Sequence, residues 1–183
     1  MTRKYLLTGA PGSGKSSLIL ELEWFGKYII REAAEDWINL QKARGIEDPR
    51  ILPDFQEKIL ELQQIREKKI PSYTHHIFID RSYADGLAYA KPESTTANTI
   101  RKFMETTHYD EVFLIERLTT HKQTAVRTET KQKAEMLEEL IEKGYKKLGY
   151  NPIRVAPGTT KERAEFILQY CYEPKKQTVR CLT

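Results

Sequence analysis

Five short apolar runs punctuate the chain: Tyr5-Leu6-Leu7-Thr8, Lys27-Tyr28-Ile29-Ile30-Arg31, His76-Ile77-Phe78-Ile79-Asp80, Glu111-Val112-Phe113-Leu114-Ile115 and Pro152-Ile153-Arg154-Val155. Their length and near-continuous apolar character suit strands buried on both faces of a parallel sheet. The segments between them carry apolar residues at helical spacing. Ser17 to Phe25 predicts a helix closed by Gly26, and Ala33 to Ala43 predicts another closing before Gly45. Asp54 stands as N-cap of a helix running to about Lys69, with Phe55, Ile59, Leu62 and Ile65 on its apolar face. Asp85 to Ala90 reads as a short helical piece, Lys91 to Thr96 as a loop, and Ala97 to His108 as a helix facing inward through Ile100, Phe103 and Met104. Ala134, Leu137, Leu140, Ile141, Tyr145 and Leu148 mark one face of a helix ended by Gly149, and Lys161 to Tyr172 is the last. Trp24 and Trp37 fall in helices and are expected to pack in or against the core. Strands alternating with helices predict an α/β protein, a three-layer α/β/α sandwich wound by right-handed crossovers.

Composition narrows the class. With 183 residues, 39% hydrophobic and 31% charged, the chain reads as one domain over residues 1–172, followed by a loose tail over 173–183. No apolar run approaches the roughly 20 residues of a membrane span. Met1 to Lys4 leads at once into a strand, leaving no room for a signal peptide. Cys171 and Cys181 lack C-x-x-C spacing, and none of the histidines has metal-ligand spacing. A reducing cytoplasm is therefore expected, without disulfide or zinc. The net charge of +4 is accounted for by a polyphosphate ligand at least as well as by nucleic acid. No basic run interleaved with aromatics argues for the latter.

The chemistry begins after the first strand. Gly9-Ala10-Pro11-Gly12-Ser13-Gly14-Lys15-Ser16 fits G-x-x-x-x-G-K-[ST], the phosphate-binding P-loop, without mismatch. The glycines let backbone N–H groups turn inward, Lys15 offers a charge to the β- and γ-phosphates, and Ser16 offers a hydroxyl to Mg²⁺. Ser17 continues into the helix, whose amino end favours an anion. A nucleoside triphosphate, ATP or GTP, is the expected ligand.

Three strands end in acids: Glu32, Asp80 and Glu116. Such positions are costly unless positive charge waits there. Asp80 has the form of a Walker B acid serving Mg²⁺, directly or through water. Glu32 could be a general base for an attacking hydroxyl, or could pair with Arg31, Arg81 or another base. From Leu118 to Thr130 the chain is polar and aperiodic, with Arg117 at its start and Arg127 within it. This is the make-up of a lid whose arginines stabilise phosphoryl charge.

The P-loop, Glu32-Ala33-Ala34, the helix from Phe55 to Glu67, Asp80-Arg81-Ser82 with Asp85 and Ala88-Tyr89, and Tyr145-x-x-Leu148-Gly149-Tyr150 together resemble the small predicted ATPases of the AAA-like P-loop group. That group is similar to the ATPase/kinase domain of bacterial ribosylnicotinamide kinases. The resemblance covers about Lys4 to Tyr170. It implies a nucleoside-kinase-like sandwich with a five-stranded parallel sheet in the order 2-3-1-4-5. It also implies Glu32 as base, Asp80 for Mg²⁺, Arg81 at the acceptor hydroxyl, Arg117 and Arg127 as lid arginines, and Pro157 and Gly158 beside the adenine. Three functions remain open at this point: a small-molecule kinase, a nucleotide-dependent switch or slow NTPase with a protein or lipid target, and a polynucleotide 5′-end kinase using the basic surface around Lys143, Lys146 and Lys147.

Overall fold

The computed structural model describes residues 2–91, 93–118 and 131–172. Its sheet contains β1 (Arg3–Thr8), β2 (Tyr28–Ile30), β3 (His76–Asp80), β4 (Glu111–Ile115) and β5 (Ile153–Val155). All neighbours are parallel and the order is β2-β3-β1-β4-β5, as the resemblance implied. The register sets Leu7 beside Asp80 and Thr8 beside Leu114, so the chain leaves β1 between the ends of β3 and β4. Open parallel sheets gather ligands along this carboxyl edge.

Side-chain alternation divides the interior in two. Tyr5, Leu7, Phe78, Phe113 and Ile115 face a layer formed by α1 (Lys15–Trp24) and α6 (Thr160–Tyr172). Leu6, Ile77, Ile79, Val112 and Leu114 face α2 (Ala33–Ala43), α3 (Phe55–Lys68), α4 (Thr95–Glu105) and α5 (Lys131–Lys147). This is the three-layer α/β/α sandwich.

Local differences from the expected elements have physical causes. Ser94 caps α4 by accepting from the Ala97 amide at 3.2 Å, so that helix begins at Thr95 rather than Ala97. Asp54 occupies the N-cap of α3 without bonding through its side chain. The buried face of α3 runs through Ile59 and Gln63, leaving Ile65 41% exposed. Trp24 is 85% exposed, because α1 buries Leu18, Ile19 and Leu22 and turns Leu20 and Trp24 outward. Trp37 does pack against the core. Among the described residues no helix is long and apolar enough to cross a membrane. The expected tail, and nearly all of the expected lid, lie outside the described residues.

Candidate nucleotide-binding site

The phosphate loop joins Thr8 to α1 across the carboxyl edge of the sheet. Gly9 has φ +145°, and a Cβ there would stand 2.5 Å from the Ile115 carbonyl oxygen, so a side chain is excluded by backbone. Gly14 adopts the left-handed conformation at φ 83° and hands the chain to α1, which begins at Lys15. The Ser13 amide donates to Ala10 O at 3.3 Å, closing the turn across Pro11 and Gly12. Ser16 and Ser17 are exposed in the first turn of α1, where backbone N–H groups lack intrahelical partners. Lys15 Nζ donates to Gly9 O at 2.8 Å, to Ala10 O at 3.1 Å and to Ser13 Oγ at 3.1 Å. Burial pulls its pKa down to about 7, with Arg81 adding to the effect and Asp80 opposing it.

β2 and β3 deliver Glu32, Asp80 and Arg81 beside this loop. Asp80 is 5% exposed, and its Oδ1 is buried without a hydrogen-bond partner. Burial raises its pKa to about 6 against the pull of Lys15 and Arg81. A small cavity of about 80 Å³ is lined by Ser16, Glu32, Glu35 and Asp80, among others. No cluster of three or more His, Cys, Asp or Glu forms a metal cage among the described residues. Mg²⁺ needs no such cage, since it is commonly held by one or two carboxylates together with phosphate oxygens and water. The orphaned Asp80 oxygen and the Ser16 hydroxyl fit that donor set.

Arg81 stands at φ 59°, the sole non-glycine at positive φ among the described residues. That conformation costs on the order of 1 kcal/mol. Arg81 Nε lies 3.3 Å from Glu32 Oε2, and its Nη1 lies 3.1 Å from Asp85 Oδ1. Burial works against the arginine's charge, but Asp85 and Glu32 outweigh it and raise its pKa. Burial lifts Glu32 to about 7, with Arg81 opposing and Asp80 reinforcing the rise. Glu32 and Arg81 both line a second cavity, of about 600 Å³, whose other walls include Pro11, Ile38, Phe55, Gln63 and Tyr89. Its size is that of a small-molecule site. Another cleft of about 620 Å³ is lined by residues such as Thr106, His108 and Asn151 near the amino ends of β4 and β5, far from the phosphate loop.

The remaining sequence candidates divide. Arg117 is half-buried just after β4, between Glu116 and Leu118, while Arg127 lies outside the described residues. Glu116 does not face the phosphate loop: its carboxylate meets Arg154 Nη1 at 2.9 Å, a base from the neighbouring strand. Pro157 and Gly158 are exposed in the turn before α6, whose start is capped by Thr159 and Glu162. A residue not singled out in the sequence joins these pieces. Arg163 of α6 is 3% exposed and donates to Ser13 O at 2.8 Å and to Glu116 O at 2.9 Å. Nothing in its local sequence marks it off from the solvated charges around it. Gln63 likewise goes unmarked in the sequence, and Tyr145 stands there only as a helix-face position and within the resemblance; both are buried, and Gln63 borders the larger cavity.

Sheet order, phosphate loop and strand-end acids define a small P-loop domain of kinase-like topology. A family described as "AAA domain" matches residues 4–163, and the chain belongs to that family. The structure is similar to that of the NadR protein in complex with NAD and AMP-PNP, at TM-score 0.72 and 16% identity over 94% of this chain and 50% of the other. It is also similar to thymidylate kinase from Ehrlichia chaffeensis, at TM-score 0.63 and 14% identity over 94% of this chain and 99% of that one. Deoxyadenosine kinase from M. mycoides with bound dATP gives TM-score 0.58 and 17% identity over 93% and 100% of the two chains. The chain spans about half the length of the NadR chains it matches. No curated protein matches it significantly in sequence.

Proposed function

We propose that this domain is an ATP-dependent phosphotransferase, moving the γ-phosphoryl group of a Mg²⁺–nucleoside triphosphate to a hydroxyl on a small, nucleoside-like acceptor. One observation carries the reading. Glu32 lines both the small cavity shared with Ser16 and Asp80 and the larger cavity shared with Arg81. A carboxylate at that junction can reach an acceptor hydroxyl on one side while the triphosphate occupies the other. A pKa of about 7 leaves it able to accept a proton near neutrality.

In the step, the acceptor oxygen forms a bond to the γ-phosphorus as its proton passes to Glu32. The bond from that phosphorus to the β–γ bridging oxygen breaks, and ADP leaves. Backbone N–H groups of Gly9, Ala10, Gly12, Ser13, Gly14, Lys15, Ser16 and Ser17 would cradle the phosphates, with Pro11, which has no N–H, shaping the turn between them. Lys15 would exchange its contacts with the Gly9 and Ala10 carbonyls for phosphate oxygens. Ser16 and Asp80 would hold Mg²⁺, which when bound neutralises phosphate charge. Arg81 would orient the acceptor oxygen, and Arg117 and Arg127 would stabilise the charge of the transferring group. The turn at Pro157 and Gly158 would border the base. The kinases among similar structures support the reading, and the ligands named with them support nucleotide as donor. A domain at residues 1–172 acting in the cytoplasm is part of the same proposal.

The test is ADP release from ATP-Mg²⁺ with a panel of nucleosides, ribosylnicotinamide and oligonucleotides. Stimulation by a nucleoside-like acceptor is the expected result. Slow turnover indifferent to every acceptor would favour a nucleotide switch, and stimulation confined to oligonucleotides a 5′-end kinase.

A further inference from the structure

Asp85 is 5% exposed and lies in the 3₁₀ segment Tyr83–Ala88, just beyond the end of β3. Its two oxygens collect donors from four directions. Oδ1 accepts from the Thr8 hydroxyl and from Arg81 Nη1 at 3.1 Å. Oδ2 accepts from the Ser82 amide at 2.9 Å and from the Tyr145 hydroxyl at 2.7 Å. The proton order follows from the chemistry. A carboxylate only accepts, so Tyr145 spends its one proton on Asp85, and Ser82 Oγ, 2.8 Å away, must donate to the Tyr145 oxygen. Ser82 Oγ in turn accepts from the Ala84 amide at 3.0 Å.

Capping the 3₁₀ segment requires only the Ser82 amide. Of the other donors, Thr8 and Tyr145 come from β1 and α5 and Arg81 from the turn just before the segment, and each bears on the site. Thr8 is 0% exposed and precedes Gly9, the first residue of the phosphate loop. Arg81 lines the acceptor-side cavity from a left-handed backbone position that a non-glycine residue occupies only when its surroundings over-determine it. Tyr145 is 1% exposed, within α5, which packs against the 3₁₀ segment. In-line transfer tolerates little error, since the reacting atoms must approach within roughly 3–3.5 Å.

We propose that Asp85 is a positioning residue of the acceptor site: it clamps Arg81 beside Glu32 and registers that pair against Thr8 at the root of the phosphate loop, with Tyr145 as its anchor in α5. The role of Arg81 in transfer rests on the kinase reading above; the clamp itself can be measured without turnover. The clamp sets the separation between donor phosphates and acceptor cavity through side chains rather than through the sheet alone.

The experiment is nitrogen-detected NMR of the full chain labelled in its arginine side chains, with the Arg81 signal assigned by its loss in Arg81→Lys. Hydrogen exchange at the Arg81 guanidinium and ADP affinity are then compared in wild type, Asp85→Asn and Tyr145→Phe. The clamp predicts at least about tenfold faster Arg81 exchange in Asp85→Asn, with ADP affinity held within about threefold. Should Asp85→Asn fail to fold, Tyr145→Phe, which keeps the ring and loses only the hydroxyl, carries the same readout. Unchanged Arg81 exchange in the folded variant would overturn the proposal. So would a parallel loss of ADP affinity, which would make Asp85 a general support of the loop rather than a clamp on Arg81. Because neither readout needs an acceptor, failure of the clamp and failure of the kinase reading remain distinguishable.

Discussion

Arg163 Nη1 donates to the Ser13 carbonyl at 2.8 Å, so a residue of the last helix holds the phosphate loop from behind. Its Nη2 holds the Glu116 carbonyl at 2.9 Å, tying the exit of β4 to the same guanidinium. Replacing Arg163 with Met keeps much of the stem and removes both charge-assisted bonds. ATP affinity should fall about tenfold, and stability by about 1–3 kcal/mol. Calorimetric titration with ATP and thermal unfolding check this; wild-type affinity in Arg163→Met would contradict it.

Gly9 gives a sharper test of loop geometry. At φ +145°, with the Ile115 carbonyl oxygen 2.5 Å from where a Cβ would stand, Gly9→Ala forces backbone apart. The variant should lose about 2 kcal/mol or more and lose the thermal shift that ATP gives the wild type. A retained shift of normal size would mean that the loop tolerates rebuilding.

Of these two residues, Gly9 was legible in the sequence and Arg163 was not. The phosphate loop and the Asp80-Arg81-Ser82 turn are local: a strand, a short motif and a helix stand in one stretch, and their spacing carries their geometry. Strand order is not local, and it came from resemblance alone. Faces misled where apolar residues surround a helix. α1 has Leu18, Ile19, Leu20, Leu22 and Trp24, and only packing reveals that Leu20 and Trp24 turn outward. In α3 the periodic pattern favoured Ile65, whereas the buried position is Gln63, whose amide donates to Glu67 Oε1 at 3.1 Å. Glu116 ends its strand as Glu32 and Asp80 do, yet Arg154 on β5 claims its carboxylate. Arg163, Asp85 and Tyr145 owe their roles to partners 150, 77 and 60 residues away, a separation that periodicity cannot register.

Glu32 should leave a signature in stability. Burial raises its pKa from 4.5 to about 7, so between those pH values the folded state keeps a proton that the unfolded chain has released. Its contribution to stability therefore falls as pH rises through that window and stays low above it. Glu32→Gln carries no such titration. Relative to wild type the variant should gain on the order of 1–2 kcal/mol between about pH 5 and pH 8. Denaturant unfolding at the two pH values decides; a pH-independent difference would contradict the buried, elevated carboxyl.

Asp80 should govern the metal. With its Oδ1 buried and unpartnered, Asp80→Asn removes the charge that would hold Mg²⁺. The Mg²⁺ concentration for half-maximal turnover should rise at least about tenfold. Ionisation of Asp80, at about 6, also predicts that wild-type Mg²⁺ affinity strengthens as pH rises through that value. An unchanged Mg²⁺ requirement in Asp80→Asn would contradict the assignment.

In the proposed mechanism Glu32 joins a triphosphate site to an acceptor site. The most direct measurement is transfer of label from γ-labelled ATP to the acceptor that stimulates turnover, in wild type and Glu32→Gln, beside ATP affinity in both. Labelled acceptor from the wild type, a loss of about 10²-fold or more in Glu32→Gln, and ATP affinity unchanged within about threefold are predicted. Full transfer by Glu32→Gln would contradict the account.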